Sequence, residues 1–301
     1  MLLGGISKMR YFDRLHPITA FVYFMLLLLV AMLTMNPVII TICYLASVVF
    51  CGMLIGIRKL LSSLAYNIPI MLMIALTNPM FVHKGETILF FLNDNPVTKE
   101  AIVYGAFASM MIMSVFYLCR CYTEIMTSDK FIYLFGRVIP KLSLVLSMIL
   151  AFIPKLKRKY KEIDEAQKAL GIYATESYVD KIRSKMRVLS ILLTNSLETS
   201  VDTADSMRAR GYGLKGRTSY AIYRFTASDF TYLAFSIILG VTTVVLIMLS
   251  ASEFYYYPTI SVIKGTPTVY ILYSSLVLLA GSSIFMEVKE NILWRYLKSK
   301  I

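Results

Sequence analysis

Residues 15–57 read LHPITAFVYFMLLLLVAMLTMNPVIITICYLASVVFCGMLIGI, a stretch without a single Asp, Glu, Lys or Arg. As one helix at about 1.5 Å per residue, it would be about twice as long as the ~30 Å hydrocarbon core of a membrane. Asn36-Pro37 supplies a break, because proline lacks a backbone donor and disfavours helical geometry in the residue before it. The stretch therefore predicts two membrane-spanning helices, at 17–35 and 37–57.

Four more uncharged runs have close to the ~20 residues that a membrane span requires: 60–82, 101–119, 230–252 and 265–286. Over the whole chain, 57% of the residues are hydrophobic and only 16% are charged. One Lys or Arg at the centre of a span costs about 2.5–3.5 kcal/mol on insertion, so runs this clean are not expected in a soluble core. We predict an all-α integral membrane protein with about six transmembrane helices, the first four within 1–126 and the last two within 228–301.

Basic residues are unevenly divided between the two sides of these spans. The side with few of them has only Lys84, Lys99 and Lys264. The other side has Lys8, Arg10, Arg14, Arg58, Lys59, the segment 120–227, Arg295, Lys298 and Lys300. By the positive-inside rule, both termini and the long segment are predicted to be cytoplasmic. The formal charge of +13 therefore indicates orientation and anionic partners rather than a nucleic acid.

The segment 120–227 has 19 Lys and Arg against 10 Asp and Glu. Within it, the apolar stretch 142–154 is too short to cross a membrane and is predicted to form a buried or interfacial helix. A second helix is expected from Pro154 to Ala169, ended by Gly171, with a polar connection through Thr175 and Glu176. A long amphipathic helix follows from the three- and four-residue spacing of Ile182, Met186, Leu189, Leu193, Leu197, Val201, Ala204 and Met207. We interpret 127–227 as a region of cytoplasmic or interfacial amphipathic coupling helices.

The sequence Met-Arg-Ala-Arg-Gly-Tyr-Gly, residues 207–213, ends that long helix. A structural role accounts for it, because Gly211 suits a helix C-cap and arginine in the last turn is favoured by the helix dipole. A functional role is also open. The rigid helix would present the planar donors of Arg208 and Arg210 to an acidic or carbonyl-lined groove on a partner.

This stretch resembles the second Ala-Arg-Gly motif of the transmembrane (T) component of energy-coupling factor (ECF) transporters, bacterial importers of vitamins and metal ions. Leu15-His16-Pro17 resembles the family's N-terminal Asp/His-Pro element. The family's order continues in Thr127-Ser128-Asp129, Pro140, Pro154 and Glu165-Ala166-Gln167. The first Ala-Arg-Gly motif departs from the family, because it reads Ala169-Leu170-Gly171. Lys168 is a neighbouring cation, but lysine cannot supply a bidentate fork.

The resemblance implies a coupling subunit of an ATP-driven importer, a multi-pass protein of the bacterial plasma membrane. Its implied partners are two ABC-type ATPase subunits, which bind ATP and Mg, and a membrane-embedded substrate-binding S component. The chain itself is then expected to bind no cofactor and to be no enzyme. The implied ATPase-docking residues are Lys168, Ala169, Leu170, Gly171, Arg208, Ala209, Arg210 and Gly211. The transported solute, and whether the subunit serves one S component or several, stay open.

Other motifs indicate no chemistry. The stretch 211–218 has phosphate-loop spacing, but it follows an amphipathic helix rather than a strand. His16 and His83 are expected at membrane boundaries, the four cysteines as buried free thiols, and Tyr255 to Tyr257 in an aromatic belt.

Two alternative functions remain: a self-contained channel or secondary carrier, and a membrane-bound enzyme or a receptor for a cytoplasmic protein. The uncharged spans disfavour a carrier, and an enzyme would need convergent titratable groups.

Overall fold

The computed structural model describes residues 11–82, 84–92, 95–136, 139–171, 178–212, 223–249, 253–262 and 265–298. In chain order the elements are α1 (Tyr11–Arg14), α2 (Pro17–Leu33), α3 (Pro37–Ile55), α4 (Ile57–Phe81), β1 (Ile88–Leu92), β2 (Asn95–Thr98), α5 (Lys99–Ile125), α6 (Ser128–Gly136), α7 (Pro140–Ala169), α8 (Tyr178–Ala209), α9 (Ala227–Met248) and α10 (Pro267–Lys298). The chain divides into two compact units. We call residues 1–127 with 223–301 the membrane unit, and residues 128–222 the basic unit.

The membrane unit contains the apolar helices that the sequence predicts. Within the described residues, five helices have the length and composition of a span, namely α3, α4, α5, α9 and most of α10. Helix α2 is equally apolar, and its 17 residues are at the lower limit for crossing a membrane. The prediction of an all-α membrane protein is therefore confirmed.

The helices and the uncharged runs do not end at the same residues. Helix α5 extends to Ile125 and α10 to Lys298, whereas the predicted runs stop at 119 and 286. The physical reason is that a first charge marks the end of the hydrocarbon layer, while a helix continues into water as long as its backbone remains hydrogen-bonded.

The predicted break at Asn36 is confirmed. Helix α2 ends at Leu33, and α3 begins at Pro37 with Asn36 as its N-cap. The Asn36 side chain accepts a hydrogen bond from the Val38 N–H at 3.0 Å. Proline at the first helical position costs nothing, because that N–H would have no partner within the helix.

An aromatic cluster forms the centre of the membrane unit. Phe12 of α1 lies 5.3 Å from Phe50 of α3 and 6.0 Å from Tyr232 of α9, measured between ring centroids. Tyr23 of α2 is fully buried and donates a hydrogen bond to the Leu279 carbonyl of α10 at 3.3 Å. Five helices therefore meet around this aromatic cluster. The cluster joins the helices that precede the basic unit in the chain to those that follow it.

The connection between α4 and α5 contains secondary structure that the sequence analysis missed. Strands β1 and β2 form an antiparallel hairpin in which Phe90 pairs with Val97 and Phe91 with Pro96. We call this element the hairpin. His83 and residues 93–94 in the same connection lie outside the described residues.

The expectation that Tyr255 to Tyr257 form an aromatic belt is wrong for Tyr256. This side chain is buried, and its hydroxyl donates to the Met35 carbonyl at 2.8 Å. Its ring lies 5.3 Å from that of Tyr104 of α5. Tyr256 therefore ties the loop between α9 and α10 to the end of α2 instead of facing lipid headgroups.

The basic unit consists of α6, α7 and α8. The prediction of separate helices at 142–154 and 154–169 is wrong, because α7 runs without interruption through Pro154. The long amphipathic helix is confirmed and extends from Tyr178 to Ala209. The connection through Thr175 and Glu176 lies outside the described residues.

Helix α8 packs on α7 through a different face from the one that the apolar spacing indicates. The buried residues of α8 are Ser184, Val188 and Leu192, which recur every four positions. The apolar stripe that the sequence reveals is mostly exposed: it contains Ile182, Met186, Leu189, Leu193, Leu197 and Val201. Within the described residues, therefore, the apolar stripe of α8 has solvent-exposed hydrophobic surface along most of its length.

Candidate functional site

The end of α8 is fixed by a left-handed glycine. Gly211 has a φ of 78°, and its N–H donates to the Arg208 carbonyl at 3.0 Å. The Tyr212 N–H donates to the Met207 carbonyl at 3.1 Å. These two bonds form a Schellman motif, the commonest glycine-dependent way to end a helix. The predicted C-cap role of Gly211 therefore has its geometric basis in the backbone.

The end of α7 has a matching cap. Gly171 has a φ of 72°, and its N–H donates to the Lys168 carbonyl at 3.0 Å. Counting from the two glycines, Lys168 is equivalent to Arg208, and Leu170 is equivalent to Arg210. We call residues 168–171 the α7 tip and residues 208–211 the α8 tip. All eight residues that the sequence analysis singled out are in these two tips.

The two tips differ in chemistry although they share this backbone geometry. At the α8 tip, both arginines are exposed, and Arg208 lies 4.0 Å from Asp205 in an ion pair whose side chains are 84% and 70% exposed. Exposed pairs of this kind contribute little stability, so the pair does not prevent the guanidinium from binding elsewhere. At the α7 tip, Leu170 presents an apolar side chain that is 73% exposed.

Lys168 at the α7 tip is held by its own helix. Its amine lies 2.6 Å from the Asp164 carboxylate, one turn earlier. The hydrogen bond and charge of Asp164 raise the pKa of Lys168, so the amine stays charged. Because this bond directs the amine back along α7, Lys168 is a weaker substitute for an arginine fork than its position alone indicates.

A shallow groove beside the α8 tip is lined by Thr199, Asp202, Thr203, Ser206, Met207, Arg210 and Tyr212. The hydroxyls of Thr199 and Thr203 donate to carbonyls of their own helix, at 2.8 and 2.7 Å. The charged side chains among the lining residues are those of Asp202 and Arg210. A guanidinium beside an apolar methionine and a tyrosine ring is suited to contacts with a protein groove.

The structure does not bring the two tips together. Helix α8 has 32 residues, so it is about 48 Å long at 1.5 Å per residue. The α7 tip precedes the start of α8 by a short connection, whereas the α8 tip is at its far end. Two tips near opposite ends of one long helix cannot form a single composite site. They are suited to two separate binding events.

A buried polar staple in the membrane unit was missed by the sequence analysis, which expected His16 at a membrane boundary, within the family's N-terminal element, and with no metal-binding or acid–base role. His16 is buried and is the N-cap of α2, its ring nitrogen accepting from the Ile18 N–H at 3.3 Å. The Asp229 carboxylate accepts from the His16 N–H at 3.0 Å and from the Thr226 N–H at 2.9 Å. The spacing of Thr226 and Asp229 is that of a capping box, a signal available in the sequence.

Polar side chains also join α4 to α5. Asn67 of α4 donates to the Tyr117 hydroxyl of α5 at 2.9 Å, and Arg120 of α5 donates to the Ser63 hydroxyl of α4. Cys43, Cys51 and Cys121 are buried as expected, but Cys119 is exposed. No group of three or more His, Cys, Asp or Glu side chains with metal-binding proximity is found among the described residues.

This combination defines a class of protein: a polytopic helical membrane protein with a basic helical unit that carries two capped tips. A family model described as CbiQ, cobalt transport protein, matches residues 10–220. That match covers α1 to α8 and thus both tips. The chain therefore belongs to the CbiQ cobalt transport protein family, the family of the transmembrane (T) components of energy-coupling factor transporters.

Individual relatives agree with this assignment. The chain is 29% identical over 172 residues to the energy-coupling factor transporter transmembrane protein EcfT of Listeria innocua, covering 53% of this chain and 64% of the relative. It is 27% identical over 183 residues to EcfT of Bacillus subtilis, covering 57% and 69%. It is 26% identical over 236 residues to EcfT of Bacillus selenitireducens, covering 73% and 87%. The match thus spans slightly less than two thirds of the Listeria protein.

Proposed function

We propose that this chain is the coupling subunit of an ECF importer of vitamins or other micronutrients. Two ABC-type ATPase subunits, which bind ATP and Mg, dock on the α7 and α8 tips. A substrate-binding S component in the membrane contacts the apolar stripe of α8. The basic unit and the ends of the chain are on the cytoplasmic side, in line with the basic residues of that side.

The observation that supports this proposal best is the pair of matching caps. A left-handed glycine ends each of the two helices at a defined residue. Position 168 therefore has the same place relative to its cap as position 208, and position 170 the same place as position 210. The two tips are near opposite ends of α8, which is about 48 Å long. One repeated geometry at two distant points is what docking to two related subunits requires.

The exposed apolar stripe supports the contact with the S component. Leu193, Leu197 and Val201 follow the segment of α8 that packs on α7, and all three are exposed. An exposed apolar patch of this kind marks a surface that binds protein or membrane. A stiff helix with one end on an ATPase and its apolar side on the S component can transmit a displacement of the first to the second.

The chemistry of the tips implies two different docking grooves. Arg208 and Arg210 require carboxylate or carbonyl acceptors in the groove of the α8 tip. Leu170 instead fits an apolar position in the groove that receives the α7 tip. If that position were acidic, docking would remove water from its carboxylates, and Leu170 would supply no cation to replace the lost hydration. Lys168 remains tied to Asp164 at 2.6 Å. We therefore expect the α8 tip to carry the more salt-sensitive contact.

The test is affinity purification of the tagged full chain from its native membranes in mild detergent. Wild type is expected to bring two ATPase subunits and a small membrane protein with it, and Arg210→Glu to lose an ATPase. A reversed charge at a buried contact typically costs about 2–5 kcal/mol. Arg187→Glu is the matched control, because Arg187 is exposed on the same helix but distant from the tip. If Arg210→Glu retains the same ATPases as Arg187→Glu, the tip is not the docking site.

A further inference from the structure

The hairpin has an apolar surface that neither the helices of the membrane unit nor the proposed coupling role accounts for. Ile88, Leu89, Phe90 and Phe91 are consecutive in β1, and each side chain is between 51% and 67% exposed. Successive side chains of a strand point to opposite faces, so Phe90 and Phe91 expose both faces of the hairpin. An exposed apolar edge strand in water is a hazard for aggregation.

The hairpin is fixed to the end of a membrane span. The N–H of Lys99, the first residue of α5, donates to the Thr87 carbonyl at 3.0 Å. The Thr98 hydroxyl donates to the Lys84 carbonyl at 3.1 Å, and the Thr87 hydroxyl donates to the Glu100 carboxylate at 2.6 Å. Thr98 is both the last residue of β2 and the N-cap of α5. The hairpin is therefore attached directly to the start of α5.

The position of β1 follows from these contacts. Strand β2 packs against the ends of α4 and α5, with Val97 and Thr98 buried, and β1 is the outer strand. At a strand rise of about 3.3 Å per residue, Phe90 and Phe91 are within about 10 Å of the first turn of α5. The interfacial layer on each side of the hydrocarbon core is roughly 5–8 Å thick. The exposed rings are thus close enough to the start of α5 to reach a headgroup layer at that end of the span.

We propose that the hairpin is a membrane-interface anchor: β1 lies in the headgroup and acyl boundary of the leaflet at the start of α5, with Phe90 and Phe91 inserted among the lipids. Lipid fits this surface better than a protein partner does, because lipid can surround both faces of the strand. Lys84 and Lys99 are exposed beside it and can reach lipid phosphates. Interfacial amphipathic helices bury their apolar faces about 5–10 Å into this boundary, and we expect a similar depth for β1.

The proposed anchor can be tested by fluorescence because the chain has a single tryptophan, Trp294. In a Trp294→Phe background, Phe90→Trp and Phe91→Trp each place a reporter in β1. The full chain, with the subunits that purify with it, is inserted in nanodiscs of phosphatidylcholine and phosphatidylglycerol, and the emission of the same complex with Trp294→Phe alone is subtracted to remove the tryptophans of the other subunits. Part of the phosphatidylcholine carries bromine, either near the headgroup end or near the methyl end of its acyl chains.

Both reporters are expected to lose most emission with bromine near the headgroup end. The control Ile112→Trp, at an exposed position in the middle of α5, is expected to lose most emission with bromine near the methyl end. If the β1 reporters keep their emission with both lipids, the proposal is overturned. Quenching by acrylamide would then show that the hairpin faces water, and protection from acrylamide would show that a protein covers it.

Discussion

The carboxylate of Asp229 and the backbone N–H of His16 form a hydrogen bond of 3.0 Å that joins the starts of two membrane spans. The same carboxylate accepts from the N–H and the hydroxyl of Thr226, so one buried side chain caps α9 and also holds the N-cap residue of α2. Helix α9 is the first span after the basic unit in the chain. The staple therefore joins the start of α9 to the start of α2 within the membrane unit.

Replacing Asp229 by alanine is expected to destabilise the membrane unit. The change leaves the His16 and Thr226 N–H groups without their carboxylate acceptor, and each unsatisfied buried donor costs about 1–3 kcal/mol. Thermal unfolding of the purified chain in detergent would show a lower midpoint. Thr231→Ala is the matched control on the same helix, because its hydroxyl is exposed and bonds only to the Ser228 carbonyl in the described contacts. Equal midpoints for the two variants would mean that the staple carries no stability.

Helices α4 and α5 approach closely at Gly105, and this contact predicts a second effect. A Cβ at Gly105 would collide with the backbone carbonyl oxygen of Ala75, whereas a Cβ at Gly281 of α10 would meet nothing within 4 Å. Gly105→Ala is therefore expected to destabilise by about 1–3 kcal/mol through overpacking. Gly281→Ala should be neutral or stabilising, because alanine favours a helix by about 1 kcal/mol over glycine. A lower thermal midpoint for Gly281→Ala than for Gly105→Ala would contradict the close approach.

The α7 tip provides a third prediction. Leu170 is highly exposed, and its φ of −76° and ψ of 2° are open to any L-residue, so Leu170→Arg should fold normally. Leu170→Arg restores the arginine of the family's first Ala-Arg-Gly motif and is expected to keep the ATPases bound, because its aliphatic stem can cover the apolar position while the guanidinium extends out of it. Leu170→Asp has no such stem and is expected to weaken ATPase binding, because it would bury a carboxylate. Co-purification and ATPase activity of the two variants measure this difference. Equal ATPase recovery with Leu170→Asp and wild type would remove Leu170 from the contact.

The sequence predicts the spans well because charge exclusion from hydrocarbon is a strong and local rule. It also predicts the break at Asn36-Pro37 but fails at Ile153-Pro154. An asparagine can cap the helix that starts with the proline, as Asn36 does for Val38. The residue before a proline does not decide the outcome alone, because α7 begins at Pro140 after Ile139, which makes no side-chain cap bond, and α4 continues through Asn78-Pro79. The local sequence at a proline is therefore not sufficient to predict whether a helix ends there.

The candidate tips were recognisable from Gly171 and Gly211, since each glycine follows a basic helical stretch. The motif resemblance already aligns Leu170 with Arg210, and the backbone bonds of the two caps add that both tips end in a left-handed glycine with the same 3.0 Å cap bond. The staple depends on a contact between residues far apart in sequence, His16 with Asp229, whereas the hairpin is a local pairing of residues 88–92 with 95–98 that the sequence analysis missed. The period of apolar residues in α8 also misidentified its packing face, because Ser184 and Val188, rather than the longer side chains, allow α7 to approach.

The most direct test of the coupling role is photocrosslinking in native membranes. A photoreactive phenylalanine replaces Tyr212 beside the α8 tip, Leu170 at the α7 tip, or Leu197 on the apolar stripe, all of which are exposed. We predict that positions 212 and 170 capture ATPase subunits, that Arg210→Glu abolishes capture at 212, and that Arg187→Glu does not. Position 197 is predicted to capture a small membrane protein. Capture of no ATPase at either tip, with an intact complex present, would contradict the account.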